Sequence, residues 1–264
     1  MQPTVYHEQA PPPELADRVE CVWTLRSPAP LPAARPSRVL PDGCADVIFD
    51  LGDRPRSYAV GAMRRPAEVW LRGTVEMVAV RFRPGGAASL LAIPLAEITD
   101  ATAPLADLWG AAAGELEDRL HAAGAAERAA ILVGALRDRL RDAPPVHPAV
   151  ARASALIAGS HGSLPVARLA TSVGIGTRQL ERRFAEAVGL TPKAAARVAR
   201  FRRLRRRLDA GPRAGWSRLA LECGYYDQAH MIREFRALSG LTPEAYLRER
   251  AGVASVQYAS AAGD

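Results

Sequence analysis

Residues 219–246 read LALECGYYDQAHMIREFRALSGLTPEAY, and residues 169–194 read LATSVGIGTRQLERRFAEAVGLTPKA. Laid over each other, Leu169-Ala170 meets Leu219-Ala220 and Gly174 meets Gly224. Past one extra residue in the second copy, Leu180 meets Met231, Arg182 meets Arg233 and Phe184 meets Phe235. Gly189-Leu190-Thr191-Pro192 then matches Gly240-Leu241-Thr242-Pro243 letter for letter. A repeat of this length points first to a repeat architecture, but there are only two copies. Each has the form short helix, glycine turn, second helix, which predicts two helix-turn-helix units and not a solenoid.

In both copies the apolar spacing is helical: Leu180, Phe184, Ala187 and Val188 make one stripe, Met231, Phe235 and Leu238 the other. The glycine before each second helix permits the positive φ of a tight turn. Thr177 and Asp227 stand where an N-cap belongs. The Thr-Pro pairs predict further helices, with threonine as cap and proline at the first position. The polar faces carry Arg178, Glu181 and Arg182 in the first copy, and Gln228, His230 and Arg233 in the second. Arginine and glutamine read guanine and adenine edges bidentately in the major groove. An ordinary helical bundle with solvated faces does not account for the duplicated turn chemistry. Between the units, residues 192–208 predict a spacer helix with Val198, Phe201, Leu204 and Leu208 buried and seven arginines around it. Arg206 is among those expected to meet phosphate without regard to sequence.

The pattern A-x-x-x-G-[FY]-x-D-Q-x-H-x-x-R-x-F-[RK]-x-x-x-G-x-T-P in the second copy resembles the signature of the AraC/XylS family of transcription regulators. The first copy, with R-Q-L-x-R-R-F and G-L-T-P-K, is similar to that family's first unit. The likeness covers about the last 110 residues; Tyr225 stands where phenylalanine is commonest. It implies a regulator that binds double-stranded DNA, with base contacts at the positions of Arg182 and Arg233 and neighbours Thr177, Arg178, Glu181, Gln228 and His230. As further partners it implies a small-molecule effector, RNA polymerase and a second copy of the chain. PDGCADVIFDLG and VRFRPGGAASLL resemble an uncharacterised N-terminal domain found in a subgroup of these regulators. In the wider family that place holds a cupin-like β-barrel that binds an effector or dimerises.

The charge is split. From His147 onward there are 19 basic and 9 acidic residues, net +10, whereas the first 146 residues have 16 and 19, net −3. A basic half joined to a mildly acidic one suits a nucleic-acid module attached to something else. In the first half, residues 19–25, 37–40, 45–51 and 75–83 predict short strands, with Val78, Val80 and Phe82 alternating against Arg81 and Arg83. Helices are predicted at 87–92, 105–109, 112–121 and 126–141. The fold class is therefore α+β: a small β-barrel or sandwich with trailing helices, then an all-α domain of two helix-turn-helix units on a spacer helix. The expected division is 1–141 for sensing or dimerisation (β-rich 1–83, helical 84–141), 142–148 as a proline-rich linker, 149–250 for DNA binding and 251–264 as a tail.

Little supports enzymatic chemistry. Among the five histidines only His7 falls in the β-rich part, too few for a cupin metal site, so neither metal nor other cofactor is expected. Cys44 lies near Asp42 and Asp46 but has no histidine to serve as base, and a small buried cysteine is the expected role. Arg81, Arg83 and the Pro84-Gly85-Gly86 turn suit either an anion site or a plain strand-to-helix turn. The first fifteen residues lack the apolar core and basic leader of a secretory signal, and no run is long enough to span a membrane. With three cysteines at no metal-ligand spacing, a reduced, cytoplasmic protein is expected. The rivals to a sequence-specific regulator are a cupin-like enzyme and a non-specific architectural helical protein.

Overall fold

The structure, a computed structural model, describes residues 4–211 and 215–252. The expected tail lies outside these from residue 253 on. Among the described residues the strands are β1 (Val5–Gln9), β2 (Val19–Arg26), β3 (Leu31–Val39), β4 (Ala45–Asp50), β5 (Arg56–Val60), β6 (Ala67–Gly73), β7 (Glu76–Phe82) and β8 (Thr102–Pro104). Six of them form an antiparallel sheet in the order β1-β2-β7-β4-β5-β8, and β3 pairs with β6 in a separate ribbon.

The centre of the sheet follows from its β-branched rows. Val22, Val80, Val47 and Ala59 lie side by side across β2, β7, β4 and β5. That row, with Phe49, Val78 and Phe82, is packed under the helices α1 (Ala88–Leu91), α2 (Leu105–Trp109), α3 (Ala111–Ala122) and α4 (Arg128–Arg141). Leu90, Trp109, Leu120 and Leu136 close the core from above. The next row, Trp23, Ala79 and Ile48, faces the other way and is covered by Leu31, Val69 and Leu71 of the ribbon. The result is a sandwich of unequal halves. The prolines of β3 are tolerated because a two-stranded ribbon has free edges; Pro36 stands opposite Trp70.

The ribbon changes the expected role of β7. Alternation puts Arg81 on the face opposite Val80, but that face is covered, and Arg81 is only 8 % exposed. A buried guanidinium needs charge partners, and it has them: Nη1 lies 3.4 Å from Glu8, and Nε 3.2 Å from Asp42 and 3.3 Å from Asp46. Arg83 is exposed, with Nε donating to the Ala16 carbonyl at 2.8 Å. The Gly86 amide donates to Arg83 O within the turn. Of the two readings offered for this segment, the geometry fits the plain strand-to-helix turn, with Arg81 in an internal ion cluster.

Burial raises the Asp46 carboxyl to about 6 against the pull of Arg81, with Asp42 adding to the rise. A folded-state value above that of the unfolded chain means the native state holds this proton more tightly. The resulting stability is complete below the unfolded value and is lost as pH rises through about 6. Asp46→Asn should therefore flatten the pH dependence of the urea midpoint between pH 5 and 7.5, where wild type should lose on the order of 2 kcal/mol relative to the variant. Parallel profiles for the two proteins would show Asp46 ionised throughout. Cys44 is buried, its thiol donates to Glu20 at 3.4 Å, and burial pushes it well above the ordinary thiol range. It is a packed thiol, not an activated one.

The second half contains α5 (Pro148–Gly159), α6 (Val166–Val173), α7 (Thr177–Val188), α8 (Pro192–Asp209), α9 (Trp216–Glu222), α10 (Gln228–Ser239) and α11 (Pro243–Gly252). Its core joins Leu180, Phe184, Phe201, Leu204, Met231 and Phe235, and also takes in Ala62 from the first half. The halves meet closely. Arg18 donates to Ser89 Oγ and to the Ala143 and Pro144 carbonyls, pinning the start of the linker. Thr99 Oγ1 donates to Gly189 O at 2.5 Å, and Arg38 makes a bidentate pair with Glu249. A register shift in β2 between Val19 and Cys21 leaves Glu20 out of the ladder, as a bulge does. Arg202 of α8 reaches it at 3.4 Å and also bonds the Asp42 carbonyl at 3.1 Å.

Candidate nucleic-acid interface

The two units are built alike down to single hydrogen bonds. In the first, α6 ends at Gly174 (φ 74°) and the Ile175 amide donates back to Ala170 O; in the second, α9 is followed by Gly224 (φ 82°) and the Tyr225 amide donates back to Ala220 O. The positive φ is one that glycine adopts without a Cβ penalty. Leu180, Phe184 and Val188 of α7 and Met231, Phe235 and Leu238 of α10 are buried as the spacing requires. Both threonine caps form: Thr191 accepts from Ala194 N and Thr242 from Ala245 N, each at 3.2 Å.

The helix starts differ. Asp227 caps α10, accepting from the His230 amide at 2.6 Å. Thr177 does not cap α7: it is the first helical residue, and Gly176 holds the cap position without a side-chain bond. The extra residue in the second copy is what places an aspartate there and a glycine here.

The outward faces are open. Thr177, Arg178, Glu181 and Arg182 of α7 are exposed, as is Arg233 of α10. No hydrogen bond or ion pair ties Arg178, Arg182 or Arg233 among the described residues. Gln228 is half-buried, with Oε1 accepting from Ser217 Oγ at 3.1 Å, which leaves its amide N–H groups as outward donors. His230 is occupied: Nδ1 accepts from the Tyr226 amide at 3.2 Å, Nε2 lies 3.7 Å from Glu234, and the ring stands edge-on to Tyr225. It shapes the turn. By shaping that turn it leaves Tyr226, 85 % exposed, projecting just ahead of α10. The sequence reading passed over Tyr226; its signal is the second of two adjacent tyrosines beside the one-residue insertion.

The arginines of α8 mostly hold the protein together. Arg197 and Arg200 both bond Glu234 of α10, at 2.7 and 3.2 Å, and Arg200 also bonds Gly162 O. Arg207 pairs with Glu222, and Arg202 bridges to the sheet. Arg206 is exposed and lines a cleft that Asp42 and Gly43 also line. Burial alone would raise the Glu234 carboxyl, but Arg200 and Arg197 together outweigh it and hold it below the usual range. That contribution is present above the ordinary carboxylate value and lost as pH falls through the lowered one. Glu234→Gln should cost about 1–3 kcal/mol at pH 7 by urea unfolding, with the difference from wild type shrinking toward pH 3. A pH-independent difference would mean a loss of packing and not of charge pairing.

Residues 169–249 match the family model described as a helix-turn-helix domain, and residues 7–104 match a domain of unknown function (DUF6597). No curated protein matches the chain. Among solved structures, a transcriptional regulator with an AraC-type DNA-binding domain from Chromobacterium violaceum is 27 % identical, covering 39 % of this chain and 93 % of that one, at TM-score 0.36. The DNA-binding domain of AdpA, a global transcriptional factor, solved with a target DNA, is 24 % identical over 40 % of this chain and 96 % of that one, at TM-score 0.37. ToxT from Vibrio cholerae O395 is 9 % identical over 84 % and 98 %, at TM-score 0.43. The paired units define a DNA-binding transcription regulator. Within that class, its C-terminal part matches a helix-turn-helix domain and its N-terminal part matches the domain of unknown function.

Proposed function

We propose that this regulator reads a specific duplex sequence with α7 and α10, and that its sheet domain sets when it does so. Residues 149–250 are the DNA-binding part, 1–141 the sensing or dimerising part, and 142–148 the linker. The observation that carries the reading is the placement of Arg182 and Arg233. They occupy the same position in the two units and are exposed and unpaired among the described residues, whereas most neighbouring α8 arginines are tied to carboxylates. Thr177, Arg178, Glu181 and Gln228 flank them, and Tyr226 extends the second unit's contact surface; His230 acts by holding that tyrosine's turn. A small-molecule effector, RNA polymerase and a second copy of the chain are the partners we propose, in the cytoplasm. We propose no catalytic role: His7 lies exposed on the edge strand β1, opposite Thr24. No helix among the described residues is long and apolar enough to cross a membrane.

The test is binding of the full chain to random genomic duplexes at two salt concentrations. Contacts to six or more phosphates lower affinity about 10³- to 10⁵-fold between 50 and 200 mM salt. Binding that ignores salt, or none at all, would remove the basis of the proposal.

A further inference from the structure

Where α8 crosses the sheet domain there is a cleft of about 270 Å³. One wall is the Asp42-Gly43 turn and Pro84; the other is α5 and α8. The hollow exists because α8 presents alanine twice on this stripe: Ala195 and Ala199 stand one turn apart, followed by Arg202 and Arg206. Ile157, Val198 and Phe184 make the floor apolar. Phe184 belongs to the buried stripe of α7, so the cleft lies behind that helix, on the side away from Arg182.

Its mouth is cationic. Arg202 is committed to Glu20 and to the Asp42 carbonyl, and the Asp42 carboxylate is turned to Arg81 and the Cys44 amide. The side chains of Arg206 and His161 have no hydrogen-bond or ion-pair partner among the described residues. Burial first, and then the nearby charges of Arg203 and Arg206, lower the His161 pKa, so the imidazole serves as a neutral hydrogen-bond donor beside the Arg206 cation. On the α5 wall, Ser154 Oγ is buried with no protein hydrogen-bond partner among the described residues.

We propose that this cleft is the effector site, and that its ligand is a small organic carboxylate of roughly ten to fifteen non-hydrogen atoms in all, with an apolar body. The carboxylate sits against Arg206 and His161, with Ser154 Oγ as a further donor, and the apolar body lies on Ile157, Val198 and Phe184. Such a ligand touches the sheet domain, α5, α7 and α8 together, so its binding favours one placement of the two halves over others. DNA is the other anion this protein meets, but a duplex cannot follow a carboxylate into a cleft closed by the sheet domain. The proposal rests on the reading that the sheet domain modulates DNA binding.

Titration calorimetry of the full chain with 3-phenylpropionate, 3-phenylpropan-1-ol and inorganic phosphate tests it. The acid should bind saturably, one per chain, and at least tenfold more tightly than the alcohol or phosphate. Arg206→Gln should weaken the acid tenfold or more, and Ala199→Phe, which fills the hollow, should abolish its binding. Ala195→Val serves as a milder filling should the phenylalanine disturb folding, and the thermal midpoint of each variant shows whether it does. Equal binding of acid and alcohol, equal binding of acid and phosphate, unaltered binding by the variants, or no binding of the acid would each overturn the assignment. Duplex binding is measured on the same samples. Its retention alongside a failed acid titration sinks only the cleft, whereas its absence in wild type sinks the regulator reading beneath it.

Discussion

Phe235→Ala should lower unfolding stability by about 3–5 kcal/mol, as expected for deleting a fully buried ring. Phe235 is 0 % exposed and sits between Phe201 of the spacer helix, at 5.1 Å between ring centres, and Tyr246 of α11, at 5.5 Å. The ring is therefore the junction of α8, α10 and α11. A domain's whole stability is about 5–15 kcal/mol, so the second unit should open before the rest. The expected result is a lower urea midpoint, early proteolysis within α10 and loss of the second DNA contact, with α7 still held by its own Leu180–Phe184 stripe. Arg236→Ala, one position on and exposed, should change unfolding stability by less than about 0.5 kcal/mol. Equal midpoints for Phe235→Ala and wild type would mean that the three helices do not share this core.

The second large effect concerns specificity. If Arg182 and Arg233 each pair with a guanine, Arg182→Ala should cost about 1–3 kcal/mol, or about 5- to 150-fold, at its own half-site and relax the preference there. Arg233→Ala should do the same one helical turn away and leave the first half-site's preference intact. Arg141→Gln serves as the comparison, because that side chain is exposed on α4 of the sheet domain; it should leave both preferences unchanged. Competition assays with a selected site and its two half-site variants separate these outcomes. Uniform weakening across all sequences by both alanine variants would mean that α7 and α10 touch only phosphate.

Local signals carried much of this architecture. Thr191 and Thr242 cap as their Thr-Pro context requires, α2 runs from Leu105 to Trp109 as predicted, and the duplicated glycine turns close on matching carbonyls. These features depend on residues a few positions apart, which a single sequence displays. Long-range pairings were hidden. Alternation in β7 identified the Val78–Phe82 face but gave no sign that Leu31, Val69 and Leu71 would cover the other one and bury Arg81. The strands β1, β5 and β8 are short, β6 has no clean apolar alternation, and all four are held by their neighbours and not by their own pattern. The arginines of α8 read as a basic face, yet their partners Glu20, Glu222 and Glu234 lie on other elements. At the site itself the exposed arginines were legible from the repeat. The occupation of His230 and the projection of Tyr226 were not, since both depend on the backbone path through one inserted residue.

The central claim is that one chain reads duplex DNA with two equivalent helices. Hydroxyl-radical footprinting of the full chain on a site selected from random duplexes tests it most directly. Two protected segments about 10–10.5 base pairs apart on the same face, the first weakened by Arg182→Ala and the second by Arg233→Ala, is the result expected. Even protection along the duplex, or a single segment unaffected by either variant, would contradict it.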